Sequence, residues 1–342
     1  MPESVRAPMP MRVLGRSGIR VSDLCLGTMT FGTEWGFGTD ESTSRKIYET
    51  YREAGGNYVD TANNYTDGAS EEILGRVVAS ERDSVVLSTK YTFPTVKDDP
   101  NTGGNHRKSL RRSVETSLRR LGTDYIDVLW VHAWDQCTPV DETLRALDDM
   151  VRSGKVLAIG VSNTPAWVVS RSVAIAELRG WSSYCTMQVE YSLAARTPER
   201  ELLPMADASG LAVTAWSPLG RGILARTPST DGFTKLSAPV QRILRTTREV
   251  GDELGVSSAR VALAWVLRQG LMLSIGARTL DQINDNLGAL DVELDESQLS
   301  RLDEASNIRL GYPHEFLHER RALFTPQALG TRDSDAAARA GG

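Results

Sequence analysis

Four side chains in the first half of the chain could act together on one polar bond: Asp60, Tyr65, Lys90 and His132. They supply a carboxylate, a phenol, a primary amine and an imidazole. A free phenol, with a pKa of about 10, releases its proton reluctantly near neutrality. A neighbouring cation favours the phenolate and lowers that pKa, and Lys90 can supply the charge. Asp60 can pair with Lys90 and keep it protonated. His132 can hydrogen-bond a substrate oxygen and orient it beside the phenol. The result is a polarised acid aimed at one oxygen atom, which general acid catalysis of carbonyl reduction requires. No side chain can donate a hydride, so a cofactor has to bring it. Singly, each residue has an ordinary explanation: a solvated rim lysine, a packing tyrosine, a turn-forming aspartate, a satisfied buried histidine. The argument for chemistry lies in their common placement.

That placement follows from the elements around them. Asp60 ends the run Tyr58-Val59, Lys90 ends Ser84–Thr89, and His132 ends Ile126–Val131; Tyr65 lies five residues beyond Asp60. The rest of the chain repeats the same unit. A short hairpin over 11–22, turning at Arg16-Ser17-Gly18, precedes strands near 24–27, 58–59, 85–88, 126–131, 156–161, 186–189, 211–215 and 272–275. Helical patterns follow, among them 41–53, 70–79, 140–151, 240–254, 257–268 and 279–287, with Leu110, Val114, Leu118 and Leu121 at helical spacing in another. Alternation of this kind predicts a parallel sheet. An open dinucleotide-binding sheet should carry G-x-G-x-x-G after its first strand, and Gly27-Thr28-Met29-Thr30-Phe31-Gly32 does not fit. Eight units without a linker predict an α/β fold, a (β/α)8 TIM barrel with a short N-terminal β-hairpin and extra C-terminal helices. In such a barrel the working residues lie at the C-terminal ends of the strands, where all four converge. The long connection from Tyr91 to Asn105 suits a binding loop.

Composition bounds the rest. A net charge of −5 argues against a nucleic-acid surface or a polybasic membrane patch. Cys25, Cys137 and Cys185 are scattered, giving no metal-site signal and fitting a reducing, cytoplasmic compartment. No run approaches a membrane span. Residues 1–10 read as a flexible leader, 11–325 as one domain and 326–342 as a disordered tail.

The chain resembles the aldo-keto reductases over most of its length. The residues that carry the likeness are Leu24–Thr28, Val59-Asp60-Thr61-Ala62 with Tyr65, Ser88-Thr89-Lys90, Val131-His132, Gly154-Lys155-Val156, Gly160–Asn163, Trp216–Gly220 and Gly276–Thr279. The resemblance implies a catalytic tetrad on Asp60, Tyr65, Lys90 and His132, with Tyr65 as proton donor. It implies NADP(H) lying across the barrel mouth. By position, Gly27, Thr28, Met29 and Asp60 border the cofactor, and Ser162, Asn163 and Gln188 hold the nicotinamide carboxamide. Trp216 stacks on the ring; many relatives have Tyr there, and another aromatic face preserves the contact. Ser217, Pro218, Leu219, Gly220 and Arg221 meet the pyrophosphate. Gly276, Arg278, Thr279, Gln282 and Asn286 clasp the adenosine end, with Arg278 as the 2′-phosphate cation. His132, where some relatives carry Glu, favours carbonyl over alkene reduction. The segments 103–110 and 164–169 resemble the aryl-alcohol dehydrogenase branch. Pocket candidates are Trp35, Tyr65, Tyr91, Phe93, His132 and Trp134, an aromatic set.

The activity implied is reversible, NADPH-dependent reduction of an aldehyde or ketone, including a deoxysugar or secondary-metabolite ketone. The partner is then a small carbonyl compound, and a homo-oligomer is compatible with it. Two rivals share the barrel: an NADP-binding regulatory subunit with slow turnover, and an isomerase or lyase using Lys90 as a Schiff-base former.

Overall fold

A computed structural model describes residues 9–226 and 236–324. The expected disordered tail over 326–342 and most of the leader lie outside the described residues. Met9, assigned to that leader, is buried, and the Pro10 carbonyl accepts from Asp23 N at 3.0 Å.

Eight parallel strands close into a barrel: β3 (Leu24–Gly27), β4 (Tyr58–Asp60), β5 (Val86–Tyr91), β6 (Ile126–Val131), β7 (Val156–Ser162), β8 (Tyr184–Glu190), β9 (Ala212–Trp216) and β10 (Met272–Ile275), with β10 pairing β3. Around it run α1 (Glu41–Glu53), α2 (Ala69–Val78), α3 (Arg107–Leu121), α4 (Val140–Arg152), α5 (Ala166–Arg179), α6 (Leu202–Ala208), α7 (Ala238–Leu254), α8 (Ser258–Arg268) and α9 (Leu280–Leu287). Two C-terminal helices follow, α10 (Glu296–Ser306) and α11 (His314–Phe324). Local signals set several boundaries. The Asp40 carboxylate accepts from Thr43 N at 2.8 Å and starts α1. Gly122, at φ 61°, stops α3. Pro198 sits in a 3-10 turn, Thr197–Arg200, and the helix after it begins at Leu202.

Strand side chains alternate between two core layers. Cys25, Tyr58, Val86, Val128, Trp130 and Met272 point into the barrel. Leu24, Leu26, Val59, Leu87, Leu129 and Val131 point outward under the helices. Trp130 fills so much of the interior that a Cβ on Gly160 of the next strand would lie 2.4 Å from its ring. Glycine is therefore required there by packing.

The expected hairpin pairs β1 (Met11–Val13) with β2 (Arg20–Ser22) in an antiparallel register, Met11 opposite Ser22. It plugs the N-terminal end of the barrel. Leu14 and Val21 are fully buried in the inner layer, and burying such side chains contributes about 1.5–3 kcal/mol each. Gly15, at φ 51°, approaches the barrel so closely that a Cβ would sit 1.9 Å from the Cys185 carbonyl oxygen. One end of the barrel is thereby sealed, and the other is left to the loops.

Candidate active site

The same alternation aims the chemistry. Asp60 shares its direction with Tyr58, Lys90 with Val86 and Ser88, and His132 with Val128 and Trp130. All three therefore face the axis near the open end. Lys90 lies within β5, whose pairing continues to Tyr91 opposite Val131, rather than just beyond a shorter strand. The parity excludes Tyr91 from the pocket. It points outward, is fully buried beneath the helices and is corrected here to a core residue.

Lys90 is wholly buried and donates to Asp60 Oδ2, and to the Thr61 carbonyl at 2.8 Å. Asp60 Oδ1 accepts from Ser88 Oγ at 2.6 Å, and Oδ2 from Gln188 Nε2 at 3.2 Å. Burial alone would depress Lys90, but Asp60 and the Tyr65 phenol outweigh it and raise its pKa above the ordinary lysine value. The ammonium is thus a fixed charge. Its Nζ lies 4.8 Å from the Tyr65 ring centroid.

Tyr65 behaves differently from the sequence expectation. Burial raises its pKa; Lys90 pulls it down as expected, and Asp60 pushes it up again. The net direction is upward, because desolvation of the phenolate exceeds the attraction of the cation. Tyr65 is therefore held as the neutral acid. The His132 ring stands edge-on to it, centroids 5.9 Å apart. Burial, reinforced by Lys90, lowers His132 to about 2, so the imidazole is neutral. Its Nδ1 is buried without a partner.

Trp35 and Phe93 pack against this centre. Trp35 meets Tyr65 edge-on at 6.3 Å and Phe37 at 5.9 Å, with its Nε1 donating to Asp67 Oδ1 at 3.2 Å. Phe93 lies 4.5 Å from His132, and Trp134 packs edge-on against Trp167 at 5.5 Å. Phe37, Phe93 and Trp167 are 42%, 41% and 59% exposed. Of the expected loop candidates, Trp35 contacts Tyr65 and Phe93 contacts His132, whereas Trp134 contacts Trp167. Phe37 and Trp167 were not singled out as pocket residues. The sequence signals for them were an aromatic-rich loop and the segment 164–169.

A sequence profile described as the aldo/keto reductase family matches residues 23–307. The chain belongs to that family. It is 40% identical over 340 aligned positions to the norsolorinic acid reductase stcV of Emericella nidulans, covering 92% of this chain and 87% of the relative. An uncharacterized oxidoreductase of Bacillus subtilis, YrpG, is 39% identical, covering 86% and 95%. The aryl-alcohol dehydrogenase [NADP(+)] of Phanerodontia chrysosporium is 32% identical, covering 90% of each.

Aldo/keto reductases are oxidoreductases that use nicotinamide cofactors, and their chemistry is carbonyl reduction. The residues at the mouth fit such a group. Trp216 ends β9 half-buried, with its indole Nε1 buried and unpartnered. Ser162 and Gln188 are buried beside the tetrad, and Asn163, at φ 46°, donates to the His132 carbonyl at 2.8 Å and to Ser162 Oγ at 3.0 Å. After Trp216, Ser217, Gly220, Arg221 and Gly222 all have positive φ, which turns the chain sharply around a buried Pro218, with Leu219 half-buried. Two expected amide contacts are spent inside that turn: Gly220 N donates to the Ser217 carbonyl at 2.7 Å, and Arg221 N to Ser217 Oγ at 2.8 Å. The Arg221 guanidinium is exposed, 5.8 Å from the Trp216 ring.

At the far side, Gly276, Arg278 and Thr279 are exposed at the start of α9, whose N-cap is Thr279. A cation beside a helix N-terminus suits a phosphate. Gln282 and Asn286 shape this turn. Gln282 Oε1 accepts from Arg278 N at 2.8 Å, and Asn286 Nδ2 donates to the Gly276 carbonyl at 3.0 Å. Near Gly27, Met29 is exposed, and Thr28 is buried. Its N and Oγ1 donate to the Asp60 carbonyl at 2.9 and 3.1 Å.

Proposed function

We propose that this protein reduces aromatic aldehydes or ketones with NADPH and that Tyr65 is the proton donor. The observation that carries the reading is the juxtaposition of a charged Lys90, fixed by Asp60, with the neutral acid Tyr65 and the neutral imidazole of His132. NADPH, when bound, supplies the hydride that adds to the carbonyl carbon. As the carbon–oxygen π bond breaks, its electron pair goes to oxygen, and Tyr65 transfers its proton there. Lys90 stabilises the phenolate left behind, and solvent later returns the proton. His132 donates a hydrogen bond to the same oxygen. With Nδ1 buried and unpartnered, the tautomer protonated on Nε2 leaves an acceptor rather than a donor unsatisfied.

The substrate reading rests on the aromatic side chains beside Tyr65 and His132: Trp35, with Phe37 against it, and Phe93 offer apolar surface to a planar ring system. Relatives named for norsolorinic acid and for aryl alcohols agree with it. NADPH rather than NADH is favoured by the exposed Arg278 beside the N-terminus of α9. The test is to mix the protein with NADPH and 4-nitrobenzaldehyde, then a panel of polycyclic aromatic ketones, and follow loss of nicotinamide absorbance. Tyr65→Phe should lower kcat on the order of 10²–10⁴-fold with the NADPH dissociation constant nearly unchanged. No oxidation of NADPH across the panel defeats the reductase reading, and an active Tyr65→Phe protein removes Tyr65 from the role.

A further inference from the structure

Tyr65 is delivered by an unusual turn. The three residues after it, Thr66, Asp67 and Gly68, all have positive φ, at 45°, 54° and 102°. Such a backbone is costly for Thr and Asp and persists only where its surroundings over-determine it. On one side Thr66 Oγ1 donates to the Phe31 carbonyl at 2.8 Å and accepts from Ser70 N at 3.0 Å. On the other stands Arg120, from the last turn of α3. Its Nη1 donates to the Asn63 carbonyl at 2.8 Å and to Glu71 Oε2 at 3.1 Å; Nη2 reaches the Asp67 carbonyl at 3.5 Å. The guanidinium lies flat on Gly68, where a Cβ would sit 2.2 Å from Cζ. Glu71 is fully buried in α2, and its Oε1 accepts from Thr89 Oγ1 at 2.7 Å, one residue before Lys90.

We propose that Arg120 is a positioning residue for Tyr65. Its guanidinium, anchored on the buried Glu71 carboxylate, fixes the turn on both sides of the phenol and ties it to the strand that carries Lys90. Arginine is needed because one rigid planar fork serves two backbone carbonyls and a carboxylate together. A lysine ammonium could neutralise Glu71 but could not span the turn. Arg120 touches neither the reacting atoms nor the barrel mouth; it acts through the geometry of Tyr65. The inference rests on Tyr65 being the proton donor.

The experiment compares Arg120→Lys and Arg120→Met with the wild type in melting temperature, NADPH dissociation constant, kcat, KM, and hydrogen exchange of the segment 61–70. Arg120→Lys should melt close to the wild type and bind NADPH within about twofold. Its kcat should fall roughly 10- to 100-fold with little change in KM, as expected for a slight misplacement of a reacting group, and segment 61–70 should exchange faster. Arg120→Met should show the same kcat loss with a lower melting temperature. The proposal is overturned if Arg120→Lys keeps kcat within twofold and leaves that exchange unchanged. It is equally overturned if kcat across the two variants simply tracks melting temperature, the signature of a purely structural pair. A wild type without reductase activity defeats the carbonyl-reductase reading instead, and the clamp is then judged on exchange alone: faster exchange of 61–70 in Arg120→Lys supports it, and unchanged exchange overturns it.

Discussion

Replacing His132 with glutamine should flatten part of the pH dependence of stability. Burial and Lys90 depress the native imidazole to about 2, whereas in the unfolded chain it titrates near 6.5. Below pH 6.5 the unfolded state gains a proton that the native state refuses, so this contribution is fully present above 6.5 and is lost as pH falls towards 2. Each pH unit in that window costs about 1.4 kcal/mol. Between pH 7 and pH 5 the linked loss is about 2 kcal/mol. Glutamine keeps a hydrogen-bonding side chain in the site and does not titrate, and the carboxylates contribute equally to both proteins.

The assay is denaturant unfolding of wild type and His132→Gln at pH 7 and pH 5, with the difference of differences as the result. The wild type should lose about 2 kcal/mol more than the variant over that interval. The chain has only four histidines, so selective labelling gives a second readout, in which the His132 ring signal should not move between pH 8 and pH 5. An equal pH dependence in both proteins, or a His132 signal that titrates near 6.5, refutes the claim of a neutral, desolvated imidazole.

Three further outcomes follow from the same geometry. Lys90→Met strands the buried Asp60 carboxylate, so it should destabilise the protein by about 3–5 kcal/mol, read as a lower denaturant midpoint, and abolish reduction; a variant as stable as the wild type contradicts the ion pair. Arg278→Ala should weaken NADPH binding by roughly 1.5–3 kcal/mol and leave NADH nearly unaffected, measured by fluorescence titration; equal effects on both cofactors remove Arg278 from the 2′-phosphate. Gly160→Ala pushes a methyl into the Trp130 ring and should cost about 1–3 kcal/mol, visible as a lower melting temperature; an unchanged melting temperature would mean that Trp130 can move aside freely.

The convergence of Asp60, Lys90 and His132 was legible because each ends an apolar run, and chain alternation then gives them one direction. The same alternation could have excluded Tyr91, which lies one residue out of step with Lys90. The barrel was legible from repetition, and the missing glycine fingerprint excluded the open sheet. The sign of the Tyr65 shift was not legible. It depends on burial depth, which tertiary packing sets, and the sequence offers only the neighbouring charge. Arg120 was hidden for a similar reason. It lies among Arg111, Arg112 and Arg119 on one helix, and only the fold turns it towards Asn63 and Glu71. The orientation of Phe37 was likewise fixed by loop geometry, with no periodicity to read, and Trp167 lies on the exposed side of the first turn of α5.

These features converge on how the site treats charge. Before substrate arrives, Asp60 and Lys90 cancel, Tyr65 is a neutral acid and His132 a neutral donor. An uncharged carbonyl can enter the aromatic mouth without meeting a net charge. In the proposed reaction, hydride addition would build negative charge on one oxygen, met by the O–H of Tyr65, the N–H of His132 and, through the phenol, the ammonium of Lys90. Donors already oriented in a dry site stabilise that charge without reorganising during the reaction. The upward shift of Tyr65 belongs to the same design. A phenol lowered to near neutrality would be partly ionised and unable to donate. Burial instead keeps the proton on Tyr65; if Tyr65 is the donor, as proposed, the rate of reduction should stay level through neutral pH and decline only when alkali ionises the phenol.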